Sequence, residues 1–447
     1  MHHARTRIRS SEDRMAPLGD TDGEERTSGL NSADLTQDVG PRRRIGRQVI
    51  FLVGSRGVAA LLQSVSFMLL SRTVDLKTFG AIGVLTAVAG FALLVTDLGV
   101  TAALSRARAQ NDHGRVLGAL RLNDIVTVAT SVVFAGLVLL GAQPGVALAV
   151  LAVSLTVERN AETHLSVFYA DGARLIPALS ILGRRALMLG SFVVLTLLFD
   201  DGAVVFAIAQ LVGALFSQVL QRATVERGAG TAPPLGLVSV LRGSWRFWAS
   251  SVLNQVRILD SAVVGALASV ASAGLYSAAQ KLVNPMLLLP ASLSQVILPA
   301  VARDGTNVRK ITVRICGLFI GTYVVLIPMT FFARELLDLL FGTPYGDGAP
   351  ILVWMLLGFP MLALSGPLAA VLQGRGDEGF VAVNGAIFAV IAIAAMLVGV
   401  VAFGPTGVAA GMTLASALRV PVLVIRVFRQ ERRRITEGAH GSELEQS

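Results

Sequence analysis

The stretch WRFWASSVLNQVRILDSAVVGALASVASAGLYSAAQKLVNPMLLLPASLSQVILPAVAR, residues 245–303, reads as two apolar helices joined by a small-residue turn. Arg257, Asp260 and Lys281 sit in it where a lipid-facing helix carries no charge. A hydrocarbon core of about 30 Å needs roughly 20 apolar residues per helix, so a span beginning near Phe247 puts Arg257 and Asp260 close to the midplane. Each charge there costs about 2.5 to 3.5 kcal/mol on insertion scales, so such residues face the protein interior, a partner or a water-filled path. Arg257 and Asp260 lie three apart on one face and can partly neutralise each other.

The rest of the chain has the same character. Of 447 residues, 53% are hydrophobic and 15% are charged, with a mean hydropathy of +0.68. A soluble domain carries about 25% charged residues, so the composition describes a multi-pass protein of the plasma membrane, with the lipid bilayer as its first partner. The net charge of +9 comes mostly from arginine and points to cytoplasmic loops rather than to nucleic acid. A single cysteine, Cys316, excludes an intrachain disulfide and any cysteine-based metal cluster, and its apolar neighbours predict an inert buried thiol. No Walker loop, HExxH or nucleotide-binding pattern occurs, so no cofactor and no catalytic residue are expected. Movement of a substrate then has to draw on an ion gradient, the membrane potential or the substrate's own gradient.

Residues 1–40 contain no apolar run and predict a disordered cytoplasmic tail rather than a signal peptide. Hydrophobic runs of spanning length follow at roughly 48–70, 79–104, 125–140, 145–168, 175–199 and 204–220. The pattern resumes at 247–268, 274–301, 311–332, 349–372, 380–403 and 407–427. This predicts an all-α integral membrane protein of twelve transmembrane helices: one lobe over 41–222, a linker over 223–246, a second lobe over 247–428 and a basic tail over 429–447. Arginines cluster before the first run and in alternate connections, for example Arg106, Arg108 and Arg115, then Arg222 and Arg227, then Arg309 and Lys310. That bias predicts cytoplasmic N- and C-termini.

The chain repeats itself weakly. Thr78-Phe79-Gly80 opens one span much as Ala273-Gly274-Leu275 opens another, and Asp171-Gly172 before the fifth run parallels Gly374-Arg375 before the eleventh. Both offsets are about 200 residues, as for two parallel six-helix halves with a substrate site between them.

Intramembrane charge gives the candidate site. Besides Arg257, Asp260 and Lys281, the runs contain Arg56, Asp97, Glu158, Arg159, Glu162, Arg184 and Arg185. If the cations converge on one cavity they suit an anionic substrate, because guanidinium groups bind phosphate bidentately in a low-dielectric cleft. For any single residue an ion pair between helices is about as frequent as a substrate contact. Arg257 with Asp260 and Arg159 with Glu162 can pair internally, whereas Arg56, Arg184, Arg185 and Lys281 have no partner on their own helix. A structural role is favoured for Asp97, and Arg419 lies near enough to a helix end to snorkel. Pro285, Pro290 and Pro299 predict a bend or break in the eighth run, either a packing kink or a hinge.

With these motifs in order, the sequence resembles the polysaccharide or O-antigen flippases of the multidrug/oligosaccharidyl-lipid/polysaccharide (MOP) exporter superfamily. The resemblance is carried by Ser71-Arg72, Thr78-Phe79-Gly80, Asp97-Leu98-Gly99-Val100, Gly274-Leu275-Tyr276, Leu372-Gln373-Gly374-Arg375 and Gly404-Pro405-Thr406-Gly407. It implies a V-shaped bundle like that of the multidrug and toxin extrusion (MATE) transporters. The implied substrate is an undecaprenyl-pyrophosphate-linked glycan, moved by alternating access for cell-surface polysaccharide biosynthesis. In that setting Arg56, Arg159, Arg184, Arg185, Arg257 and Lys281 are the candidates for binding substrate. Glu158, Glu162 and Asp260 are the candidates for carrying a coupling H+ or Na+. The implied molecule is a monomer that contacts polysaccharide-assembly proteins and no nucleic acid. Two rivals remain: a multidrug extrusion antiporter for organic cations, which favours an acidic cavity, and an integral-membrane polyprenyl-dependent glycosyltransferase or polymerase, which needs a larger outer loop than 334–350 provides.

Overall fold

The computed structural model describes residues 41–141, 145–173, 175–225, 248, 255–302 and 307–444. The tail over 1–40, most of the linker over 223–246, the first turns of the seventh run, Arg174 and Arg303 lie outside the described residues. The architecture that follows is that of the unit Ile45–Ser447, with the first turn of α1 leading into it.

Every described element is helical. The first half contributes α1 (Pro41–Leu70), α2 (Leu76–Thr96), α3 (Val100–Ala109), α4 (His113–Gly141), α5 (Gly145–Ala170), α6 (Leu175–Thr196) and α7 (Gly202–Val225). The second contributes α8 (Asp260–Leu267), α9 (Val270–Val283), α10 (Leu288–Val301), α11 (Val308–Gly321), α12 (Tyr323–Phe331), α13 (Ala333–Phe341), α14 (Ala349–Gly374) and α15 (Glu378–Leu444). In bilayer hydrocarbon a helix satisfies its own backbone groups, which is why so apolar a chain takes this form. Nine stretches among the described residues are long and apolar enough to cross a membrane. The α4 stretch is only 6% buried inside the protein, so its valines and leucines are left for lipid. The fifth helix is absent from those nine because Glu158, Arg159 and Glu162 interrupt its apolar run.

Breaks in the helices fall at residues with a physical reason to break them. The Asp75 side chain caps α2 by accepting hydrogen bonds from the Lys77 and Thr78 amides. That helix stops where Leu98 and Gly99 take positive φ (50° and 74°), inside the Asp97-Leu98-Gly99 motif. The expected interruption of the eighth run is a 3-10 turn, Asn284–Leu287, which places Pro285 in its first turn between α9 and α10. In α15 the backbone leaves helical geometry at Gly404 (φ 61°, ψ −145°). There the chain folds back on itself: a Cβ on Gly399 would stand 2.2 Å from the Gly407 carbonyl oxygen, and one on Gly411 2.6 Å from that of Ala395.

Two glycine-led motifs that looked like repeats prove to be partners in one contact. A Cβ on Gly80 of α2 would lie 1.9 Å from the Val270 carbonyl oxygen, and one on Gly274 of α9 would lie 2.6 Å from that of Leu76. The two backbones touch, as small residues allow helices in lipid to do. Nearby, Phe79 packs edge-on against Tyr345 (5.3 Å) and Phe341 (6.1 Å), and Ser71 donates to the Phe341 carbonyl oxygen (2.9 Å). The halves are thus joined firmly at the Asp75 end of α2. At its other end the Trp248 indole donates to the Val95 carbonyl oxygen (2.6 Å). Cys316 is half-buried rather than fully enclosed.

Candidate functional site

The charged residues of the membrane interior form two neighbouring groups. The first stands on α5 and α6. Helical spacing sets Glu158, Arg159 and Glu162 on adjoining faces of α5, opposite Arg184 and Arg185 of α6. Arg185 pairs with Glu158 at 2.5 Å, Arg184 bridges Glu158 (3.3 Å) and Glu162 (3.1 Å), and Arg159 bridges Asp97 (3.1 Å) and Glu162 (3.7 Å). Gln210 of α7 donates a short hydrogen bond to Glu158 and accepts one from Arg185 (3.4 Å). Three guanidiniums thus face three carboxylates, and this group carries no surplus charge. Arg184, Arg185 and Glu158 are buried, whereas the Glu162 side chain is 41% exposed.

The second group surrounds Arg257. Val256–Leu259 is a 3-10 turn, and Asp260 begins α8 directly after it. The expected pair within this turn does not form: Arg257 supplies only its field to Asp260, whose oxygens are taken up by other donors. Tyr276 Oη donates at 3.1 Å, Gln280 Nε2 at 3.0 and 3.1 Å, and the Ser261 amide at 2.7 Å. With Asp260 so occupied, Arg257 makes no ion pair among the described residues. It lines three cavities that share walls. One, of about 60 Å³, lies against Asp260, Tyr276 and Gln280. A second, of about 170 Å³, reaches Lys281, Ser277 and Thr86. The third, of about 370 Å³, runs between α10, α14 and the two arms of α15 as far as Arg419.

Lys281 Nζ stands 3.8 Å over the Phe67 ring of α1, so a cation of the second half rests on an aromatic face of the first. Arg56 stays apart: it is exposed, and it donates to Tyr169 Oη (3.1 Å) with its guanidinium 5.5 Å from that ring.

Of the sequence candidates, Glu158, Arg159, Glu162, Arg184 and Arg185 therefore come together in one network, and Arg257, Asp260 and Lys281 in the adjoining cavity region. Asp97 takes the structural part expected of it, as the partner of Arg159. Arg419 was read as a snorkelling end residue and instead lines the largest of these cavities, with Nε donating to Asn384 (3.2 Å). Gln210 and Gln280 carry no charge and gave no signal beyond being polar groups within apolar runs, and Tyr276 entered only as part of the Gly274-Leu275-Tyr276 motif. No cluster of three or more His, Cys, Asp or Glu side chains able to hold a metal occurs among the described residues.

Residues 45–170 match the family model described as polysaccharide biosynthesis protein. No curated protein matches the sequence significantly. Among solved structures, the chain is similar to an inward-facing multidrug resistance MATE family transporter of the MOP superfamily. That likeness has a TM-score of 0.66 and 15% identity, and it covers 86% of this chain and 99% of that one. A variant of the MATE transporter VcmN of Vibrio cholerae gives 0.61 at 17% identity, covering 88% and 97%. The lipid II flippase MurJ in an inward closed conformation gives 0.61 at 13% identity, covering 86% and 87%. The chain has the helical fold of the MOP transporters.

Proposed function

We propose that this protein is a secondary transporter working by alternating access, and that it flips a polyprenyl-pyrophosphate-linked oligosaccharide across the plasma membrane for cell-surface polysaccharide synthesis. The observation that carries the reading is the charge of the cavities around Arg257. Their lining cations are Arg257, Lys281 and Arg419, and the one carboxylate among the described lining residues, Asp260, is occupied by three neighbouring residues. An excess of cation in a low-dielectric space attracts pyrophosphate and repels an organic cation. The match of residues 45–170 to a polysaccharide biosynthesis family supports the same reading.

In this reading Arg257 and Lys281 meet the head group. Arg184, Arg185 and Arg159 hold α5, α6 and Asp97 together, and Arg56 with Tyr169 stands apart from the head-group cavities. Glu162, the half-open carboxylate of the α5 network, and Asp260 are the residues on which H+ or Na+ would act. The twelve-span plan, with lobes over 41–222 and 247–428 and cytoplasmic termini, belongs to the proposal. It is supported by the reversal at Gly404, which turns α15 into two passes, and by the length of α5, whose 26 residues suffice to cross a bilayer.

The second reading is multidrug extrusion, and on structural likeness alone it has the stronger backing, because multidrug MATE transporters predominate among the similar structures. Cavity charge is the reason to prefer the flippase. Proteoliposomes separate the two: the flippase exposes a lipid-linked glycan to an external glycan-oxidising probe and leaves a cationic dye unmoved. Dye movement without glycan exposure would establish the extrusion reading in its place.

A further inference from the structure

We infer that the cavity between α10, α14 and the two arms of α15 is a second anion-binding subsite, built by Arg419 with Arg257, that takes an acidic substituent on the transported glycan. Arg419 stands seven residues before Arg426, which pairs with Asp377 (2.6 Å) where the chain reverses into α15, so it lies roughly 10 Å further along the helix toward the membrane interior. A cation at that depth is costly unless a partner compensates it. Asn384 accepts from Nε only, and no carboxylate lines the cavity among the described residues. The planar donor edge formed by the two Nη groups is therefore available, and that edge suits a carboxylate or phosphate in bidentate fashion.

The remaining lining defines the ligand further. Ser294, Ser365 and Ser416 donate their hydroxyl protons to the carbonyl oxygens of Pro290, Leu362 and Met412 and keep their oxygens to accept from a sugar's hydroxyls, while Phe388 and Met396 give an apolar wall. At about 370 Å³ the space accommodates a sugar unit. The matching chemistry is a monosaccharide bearing one negative charge, either a uronic acid or a sugar phosphate. The inference rests on the proposed function only in taking this sugar to be part of the cargo; the binding itself does not depend on that.

The test is equilibrium binding to the full-length purified protein, with methyl glucuronide, glucose 6-phosphate, methyl glucoside and inorganic pyrophosphate as probes. At least one acidic sugar should bind, and methyl glucoside should bind at least about tenfold more weakly, the equivalent of one charge-assisted hydrogen bond. Whichever acidic probe binds identifies the substituent as carboxylate or phosphate. Arg419→Gln should lose that discrimination, Arg419→Lys should retain part of it, and Lys281→Gln should keep it while weakening pyrophosphate. Equal binding of acidic and neutral sugars, or an unchanged preference in a folded Arg419→Gln protein, overturns the inference. Failure of pyrophosphate to bind, with the Arg419-dependent preference intact, counts against the proposed head-group site and leaves this subsite standing.

Discussion

Glu158 shows what the intramembrane charges are for. It accepts from Arg185 and Gln210 and pairs with Arg184 inside the protein, so removing its charge leaves the buried Arg185 without a carboxylate partner and Arg184 with Glu162 alone. Breaking a buried pair from one side costs about 3 to 5 kcal/mol, whereas replacing both partners by apolar groups is often neutral. Glu158→Gln is therefore expected to lower the melting temperature in detergent sharply, and Glu158→Leu combined with Arg185→Leu to restore most of it. An unchanged melting temperature in Glu158→Gln would show that the pair contributes little. The charges themselves could be read from the sequence because each stands alone in an apolar run. Their pairing could not, since Arg184 and Arg185 find their partners on α5, across a turn that fixes no angle between the helices. Arg419 was misjudged for a related reason: distance from a helix end along the sequence does not reveal which way the side chain turns.

At the level of the helices, the Gly80 and Gly274 contact is the sharpest determinant of packing. With 1.9 Å between a Cβ on Gly80 and a backbone oxygen, neither partner is a flexible side chain and the helices have to separate. Gly80→Ala is expected to cost about 1 to 3 kcal/mol as an overpacked contact. Gly136→Ala, with nothing within 4 Å, should leave the melting temperature unchanged or slightly raised and serves as the control. Asp75 allows a test by pH. The Thr78 side-chain hydrogen bond, followed by the Thr78 and Lys77 amides, outweighs the cost of burial and holds this carboxyl below its usual value of 3.8. A depressed pKa gives stability that is present above the unfolded value and fades as pH falls through the folded one. The wild type should therefore lose a small increment of thermal stability below about pH 4 that Asp75→Asn does not lose. The Thr78-Phe79-Gly80 and Gly274-Leu275-Tyr276 motifs were legible as a repeat, but nothing in one sequence says that two similar segments touch. The helix end at Leu98 was harder still, because it is a non-glycine residue at positive φ inside the run read as 79–104, whereas the break at Gly404 was legible from Gly404-Pro405-Thr406 between the runs ending at 403 and beginning at 407.

On the scale of the whole protein, composition and hydrophobic runs were enough for the class, an all-helical membrane bundle, because lipid leaves a chain so few alternatives. The nature of the cargo was less accessible. A count of cations across the spans overstates the excess, since those of α5 and α6 are cancelled by Asp97, Glu158 and Glu162. What remains is concentrated around Arg257, and the account depends on that residue. The direct measurement is the initial rate at which a polyprenyl-pyrophosphate-linked glycan becomes accessible outside proteoliposomes, for the wild type and for Arg257→Gln at matched reconstitution and melting temperature. The account predicts robust exposure by the wild type and a loss of at least about tenfold in Arg257→Gln, the value of one charge-assisted contact. Equal rates from the two proteins would contradict it.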